Sequence, residues 1–362
     1  MKRRRYLAPW GRAAVAARAL EPGGSTREVL AALEGKPALY HCVSRVVDRT
    51  FRLGPAEKEE FVRRMRVLEA FCQVRVLTYC VMCNHFHVFV EVPERPQRAP
   101  ADPELLAHLG TLYGAQRLAE IRWELEHFRS QGNHRAAEAL RQRFLRRMWD
   151  LSVFMRELKQ GFSRWFNGRH GRTGCLWEER FRSVLVEDGH AARVVAAYID
   201  LNPVRAGLAK APEDYRWNGY GEAVAGKRKA REGLRQVMLE RGLNRSTPAR
   251  AVRDASDWSE VMAEYRRMLD EDAERGAGRV PAVPGDLCAG ERAVRLSEAE
   301  LVRRRVRYFV DGLAIGTRDF VDGVFELTRE RFPAGRTSGA RRMGRADTPL
   351  RSMRALRVGA LG

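Results

Sequence analysis

Two short apolar runs stand back to back in the chain, 74–83 (VRVLTYCVMC) and 85–92 (HFHVFVEV), separated only by Asn84. Both are rich in Val, Tyr, Phe and Cys, and both have ordinary strand length, too short for a buried helix. Cys83-Asn84 at their junction is a turn signal, so the two runs read as adjacent antiparallel strands. Upstream, 38–47 (ALYHCVSRVV) reads as another strand. Between them, 55–73 carries Phe61, Met65, Leu68 and Phe71 at helical spacing, with acidic residues early. The order is β-α-β-β, and the expected fold class is α+β.

The rest of the chain divides around this core. Residues 1–36 form a basic extension with a short helical stretch capped by Ser25, and 93–103 is a proline-interrupted linker. Residues 105–160 read as almost entirely helical, with the part about 104–150 as a helical insertion. A short strand is expected over 184–186, then a helix over 190–201 stopped by Asn202-Pro203. The core unit spans 37–222, a helical region with linker spans 223–293, and 294–362 forms a mainly helical, basic C-terminal region. There, helices over 296–313 and 317–332 are joined by Ala314-Ile315-Gly316, with Thr317 as N-cap. That spacing fits a helix-turn-helix, and equally two ordinary packed helices followed by an arginine-studded tail.

Sixty-six Lys and Arg against 46 Asp and Glu leave a formal charge of +20. Only seven of the basic residues are lysines. Arginine matches phosphate bidentately and stacks on bases, so the charge points to a nucleic acid, although codon usage accounts for part of the ratio. No apolar run reaches membrane-spanning length. Arg12 and Arg18 interrupt the apolar part of the N-terminus, which argues against a secretory signal. Six scattered cysteines read as reduced thiols, so the expected location is cytoplasmic, with no membrane partner.

Two constellations carry chemistry. His85-Phe86-His87 opens a strand, where a period of two puts both imidazoles on one face. Such a pair can hold a divalent metal, or it can be two half-buried polar residues on a wet face. Tyr198 and Asn202, four apart on a helix, share a side. A tyrosine hydroxyl can attack phosphorus, or it can simply fill a core.

Together these motifs resemble the single-tyrosine HUH transposases, and in particular the REP-associated tyrosine transposases of bacteria. His85-Phe86-His87 is similar to the HUH motif, and Tyr198-x-x-x-Asn202-Pro203 to the tyrosine helix. Tyr40-His41, Arg169-His170-Gly171, the run 176–181 (LWEERF), the run 201–207 (LNPVRAG) and Tyr215-Arg216-Trp217 match as well. The resemblance covers about 37–220. It implies a ferredoxin-like antiparallel sheet and nicking of single-stranded DNA beside hairpins, with Mg²⁺ or Mn²⁺. His85, His87 and Asn202 would then be metal ligands. Tyr198 would form a 5′-phosphotyrosine and leave a free 3′-hydroxyl. The implied setting is nucleoid-associated, and the implied assembly is a monomer or homodimer.

For contact with DNA the expected residues are Arg164, Trp165, Arg169, Arg172, Trp177, Arg180, Arg182 and Arg205, arginines for phosphates and aromatics for bases. The C-terminal region is the candidate contact to duplex DNA. His41, His170 and His190 read as structural or surface residues. Three features depart from the family pattern. Cys83 stands where proline is usual, and with Cys80 it forms a CxxC that invites a zinc reading; no second pair completes such a site. Tyr198 follows His87 at a longer interval than expected, which the insertion explains. Tyr215 and Tyr220 are rival nucleophiles without a ligand four residues on. The competing function is a non-catalytic hairpin DNA- or RNA-binding protein on the same fold.

Overall fold

The structure, a computed structural model, describes residues 37–50, 52–239, 258–274, 308–343 and 348–353. Strand β1 (Ala38–Arg45) leads through helix α1 (Pro55–Cys72) to β2 (Arg75–Val81) and β3 (His85–Val92). Helices α2 (Asp102–Gly110), α3 (Ala115–Ser130) and α4 (His134–Leu145) follow, then α5 (Leu151–Arg169) and β4 (Arg182–Val186). These four strands lie in the order β2-β3-β1-β4, with each adjacent pair antiparallel. That is the strand order of a ferredoxin-like unit, and the chain as a whole is α+β.

Both faces of the sheet are covered, which is why its strands read as nearly unbroken apolar runs and not as an alternation. On one face Phe86, Val88 and Val90 pack with Phe61, Met65 and Phe71 of α1 and with Phe154, Phe162 and Phe166 of α5. The insertion α2–α4 joins this same core through Leu105, Ile121, Leu140 and Phe144. On the other face lies α6 (His190–Asp200), with α7 (Asn202–Arg205), α8 (Gly219–Val224), α9 (Arg228–Met238) and α10 (Trp258–Glu274) continuing the layer. Gly233 lets α9 touch β2 directly. A Cβ there would sit 2.4 Å from the carbonyl oxygen of Leu77.

The helix expected over 190–201 stops at Asp200, before Asn202-Pro203, and Pro203 sits in the first turn of a fresh short helix, where no backbone donor is needed. One expectation is corrected, in the C-terminal region. Ala314-Ile315-Gly316, expected as the turn of a helix-turn-helix, is strand β5 (Ala314–Gly316), paired in parallel with β4 through Leu185↔Ala314 and Val186↔Ile315. Ala314 and Ile315 are buried and fill the two cores, which an exposed turn would forfeit. Before it stands the single turn α11 (Tyr308–Asp311), and after it α12 (Arg318–Glu326), whose N-cap Thr317 accepts from the Phe320 amide as expected. Strands β6 (Arg341–Arg342) and β7 (Arg351–Met353) finish a seven-stranded, mostly antiparallel sheet. The part of the expected 296–313 helix before Tyr308, the N-terminal extension and the tail arginines Arg345, Arg354 and Arg357 lie outside the described residues.

The tyrosine helix is pinned by Asp200. Its carboxylate accepts from Thr78 Oγ1 of β2 and from the Tyr265 hydroxyl of α10, both at 2.6 Å. Complete burial pushes this carboxyl up to about 7 from 3.8. The folded protein therefore holds the proton more tightly than the unfolded chain, and stability drops as pH rises from about 4 to about 7. In denaturant titrations the wild type is expected to lose on the order of 2 kcal/mol between pH 5 and pH 8 from this group alone. Asp200→Asn flattens that slope, and an unchanged slope contradicts the assignment.

Candidate active site

The antiparallel register of β1 and β3 sets Val43 opposite His87, Arg45 opposite His85 and His41 opposite Phe89. By strand parity, His41, Val43, Arg45, His85 and His87 share the face covered by α6. The His41 and His87 rings stack with centroids 5.1 Å apart. His41 Nε2 lies 2.8 Å from His87 Nδ1, and His41 Nδ1 lies 2.8 Å from the carbonyl oxygen of Phe309. His85 is half-buried, with its Nδ1 2.7 Å from Asn84 Oδ1 and its ring edge-on to His87 at 5.1 Å. Burial holds both inner rings neutral: it lowers His41 to about 4 and His87 well below the usual imidazole range, with positive neighbours adding to the effect.

Helix α6 brings Tyr198 onto this group. Its ring centroid is 6.0 Å from His87 and 6.2 Å from His41, edge-on to both. Phe309 lies against the phenol ring at 4.6 Å, and the Arg205 guanidinium sits 4.2 Å from its centroid. Arg205 also donates to the Tyr198 carbonyl at 2.6 Å. Tyr198 is consequently only 3% exposed. Asn202 is buried, and its Nδ2 donates back to the carbonyls of Tyr198 and Ile199, leaving Oδ1 as the ligand end of the amide. Two imidazoles and an amide oxygen are an acceptable donor set for a divalent cation that keeps open positions. Among the described residues no group of three or more His, Cys, Asp or Glu side chains is placed to hold a metal ion.

The residues expected to contact DNA are divided by the sheet. Arg205 covers Tyr198, and Arg182 pairs across from Val43 on the histidine face. Arg164, Trp165, Arg169 and Arg172 belong to the end of α5 and the loop after it, in the opposite layer. Arg169 and His170 reach Glu57 at the start of α1, at the end of the sheet where β2 turns into β3. Arg164 and Arg180 are exposed. Trp177 does not offer a stacking surface: it is 5% exposed, packs edge-on to Phe86, and donates its indole N–H to the Lys159 carbonyl. Its apolar area is worth more in the core than in water.

Two residues of this face escaped the sequence reading. Arg45 is half-buried beside His85, and no carboxylate pairs with it among the described residues. With Glu178, Glu179, Arg180, Arg182 and Val310 it lines a cleft next to Val43, in which Arg182 is paired with Glu179. His41, read as structural, is bonded directly to His87. Neither shows itself without the β1–β3 register, since both lie some 40 residues upstream of the histidine pair. The zinc reading finds no support. Cys80 is fully buried and pushed well above the usual thiol range, chiefly by that burial, while Cys83 lies 3.4 Å from Lys58 Nζ. Tyr215 is held between Lys58 and the Val81 carbonyl, and Tyr220 is buried behind α6.

No family model matches the chain, and no curated protein does. One solved structure, of a REP-associated tyrosine transposase bound to a REP hairpin, is similar at 15% identity. The match covers 53% of this chain and 81% of that one, with a TM-score of 0.34, too low to carry an argument. Among the described residues no helix is long and apolar enough to cross a membrane.

The electrostatics are open to NMR on histidine-labelled protein. As pH falls from 8 to 5, His41 and His87 are expected to keep neutral-ring shifts, because desolvation opposes their protonation. Protonation of either ring near 6.5 contradicts the burial described.

Proposed function

We propose that this chain is a metal-dependent single-stranded DNA endonuclease and strand transferase that cleaves near hairpins through Tyr198. The observation that carries the reading is the meeting of His85, His87 and Tyr198 on one sheet face, supplied by β3 and by a helix more than 100 residues later. A core tyrosine needs no such company, and a solvated histidine pair would not be roofed by a tyrosine helix.

His85, His87 and Asn202 would hold Mg²⁺ or Mn²⁺, which would supply Lewis-acid polarisation of the scissile phosphate. The phenol oxygen of Tyr198 attacks phosphorus, and its proton passes to water as the new O–P bond forms. The bond to the 3′ oxygen breaks, that oxygen takes a proton from water, and the products are a 5′-phosphotyrosine and a free 3′-hydroxyl. Attack by a 3′-hydroxyl on the phosphotyrosine rejoins DNA without an energy-rich cofactor. Arg45 and Arg205 place positive charge around the phosphate's seat, with Arg182, paired to Glu179, beside them. Arg164, Trp165, Arg169, Arg172 and Arg180 extend the basic rim around the strand ends, where a hairpin stem or its single-stranded flank can lie. The overall charge of +20 makes that association salt-sensitive.

Tyr198 is shielded by Phe309 and Arg205, so these contacts have to open before a phosphate reaches the phenol. That shielding favours the second reading, a hairpin-binding protein that does not cut. Incubation of the full chain with labelled hairpin-bearing single strands and Mg²⁺ or Mn²⁺ separates the two. The nuclease reading expects an SDS-resistant protein–DNA adduct that Tyr198→Phe abolishes while binding is kept. Binding without adduct across a broad hairpin pool, or an adduct that survives in Tyr198→Phe, overturns it.

A further inference from the structure

His41 has no part in the chemistry just described, yet both nitrogens of its fully buried ring are used. It sits in an apolar stretch of sheet, between Phe89 on β3 and Val184 on β4. A leucine would fill that position without desolvating two polar nitrogens. The histidine is tolerable there because each nitrogen meets a partner.

Those partners determine where the protons lie. A carbonyl oxygen only accepts, so His41 Nδ1, facing the oxygen of Phe309, carries the N–H. In a neutral ring Nε2 then has only a lone pair, and the 2.8 Å contact requires His87 Nδ1 to donate. A ligating His87 is a neutral imidazole by that role, so with Nδ1 donating its lone pair is left on Nε2. The tautomer of His87 is thus dictated by a backbone carbonyl two rings away.

We propose that His41 is a positioning residue that locks His87 in the Nδ1–H tautomer and presents Nε2 as a ligand. This rests on the ligand role given to His87 above. A ligating histidine whose second nitrogen is held in this way gains a fixed ring orientation and a more basic donor atom. Because the chain of bonds starts at Phe309, it also ties the histidine face to the docking of α11, the same element that covers Tyr198.

The test uses the full chain, selectively ¹⁵N-labelled at histidine and free of metal, with long-range ¹H–¹⁵N spectra reading each tautomer. Wild-type His87 is expected as Nδ1–H. Mn²⁺ binding, followed by the EPR signal of the free ion, is the second readout. His41→Leu, which removes the acceptor, is expected to release the tautomer and weaken Mn²⁺ affinity on the order of 10- to 100-fold. His41→Gln, long enough to place an amide oxygen at the Nε2 position, restores most of the affinity. His41→Asn, which reaches Phe309 but not His87, does not. Wild-type His87 found as Nε2–H overturns the proposal, as does Mn²⁺ affinity in a folded His41→Leu equal to wild type. The tautomer is read without metal, so the two ideas fail separately. A locked Nδ1–H in a protein that never binds Mn²⁺ removes the ligand role of His87 and leaves the positioning by His41 standing. If His41→Leu does not fold, the wild-type tautomer and the Gln/Asn pair still decide.

Discussion

The pairing of β1 with β3 in one register is the constraint on which the site depends. With Val43 opposite His87, every second residue of β1 from Leu39 to Arg45 falls on the face that carries His85 and His87. A slip of one residue would turn His41 and Arg45 into the opposite core and bring Cys42 and Ser44 beside the histidines. Phe86, buried between Phe61 and Trp177 on the far face, helps hold that register, because moving it would expose a large aromatic ring.

A sheet buried on both faces makes an unpartnered polar group costly, and the titratable groups beside the site are satisfied from inside. The histidine face meets that requirement with a chain from the Phe309 carbonyl through His41 to His87. The neighbouring layer meets it with Asp200, held by Thr78 and Tyr265. Both networks link distant parts of the chain: β1 to α11, and α6 to β2 and α10. The polar groups therefore specify how the layers sit, while the apolar residues supply most of the free energy. The C-terminal region belongs to this arrangement. Its strand β5 extends the sheet beside β4, and Phe309 touches both Tyr198 and His41.

Much of this was legible in the residues. The back-to-back strands, α1 with its Phe61 and Met65 stripe, and the tyrosine helix all lie where apolar periodicity placed them. His85 and His87 share a face for reasons of strand geometry alone, and Tyr198 does meet them. What the residues could not convey was register and layer. Ala314-Ile315-Gly316 is three residues long, and nothing local distinguishes a turn from a strand held between β4 and β7. Trp177 looks like a stacking residue among arginines, but its place in the core follows from packing against Phe86 and Phe162, far away in sequence. The arginines of α5 and Arg182 of β4 are neighbours along the chain and yet fall on opposite sides of the sheet.

A single metal-dependent phosphate site formed by the histidine pair and the tyrosine helix gives a definite result in crystals of the full chain grown with Mn²⁺, read through the anomalous signal of the ion: one peak bonded to Nε2 of both His85 and His87, on the side facing Tyr198 and Asn202. A Mn²⁺ peak elsewhere, or one bonded through Nδ1 of His87, would contradict it.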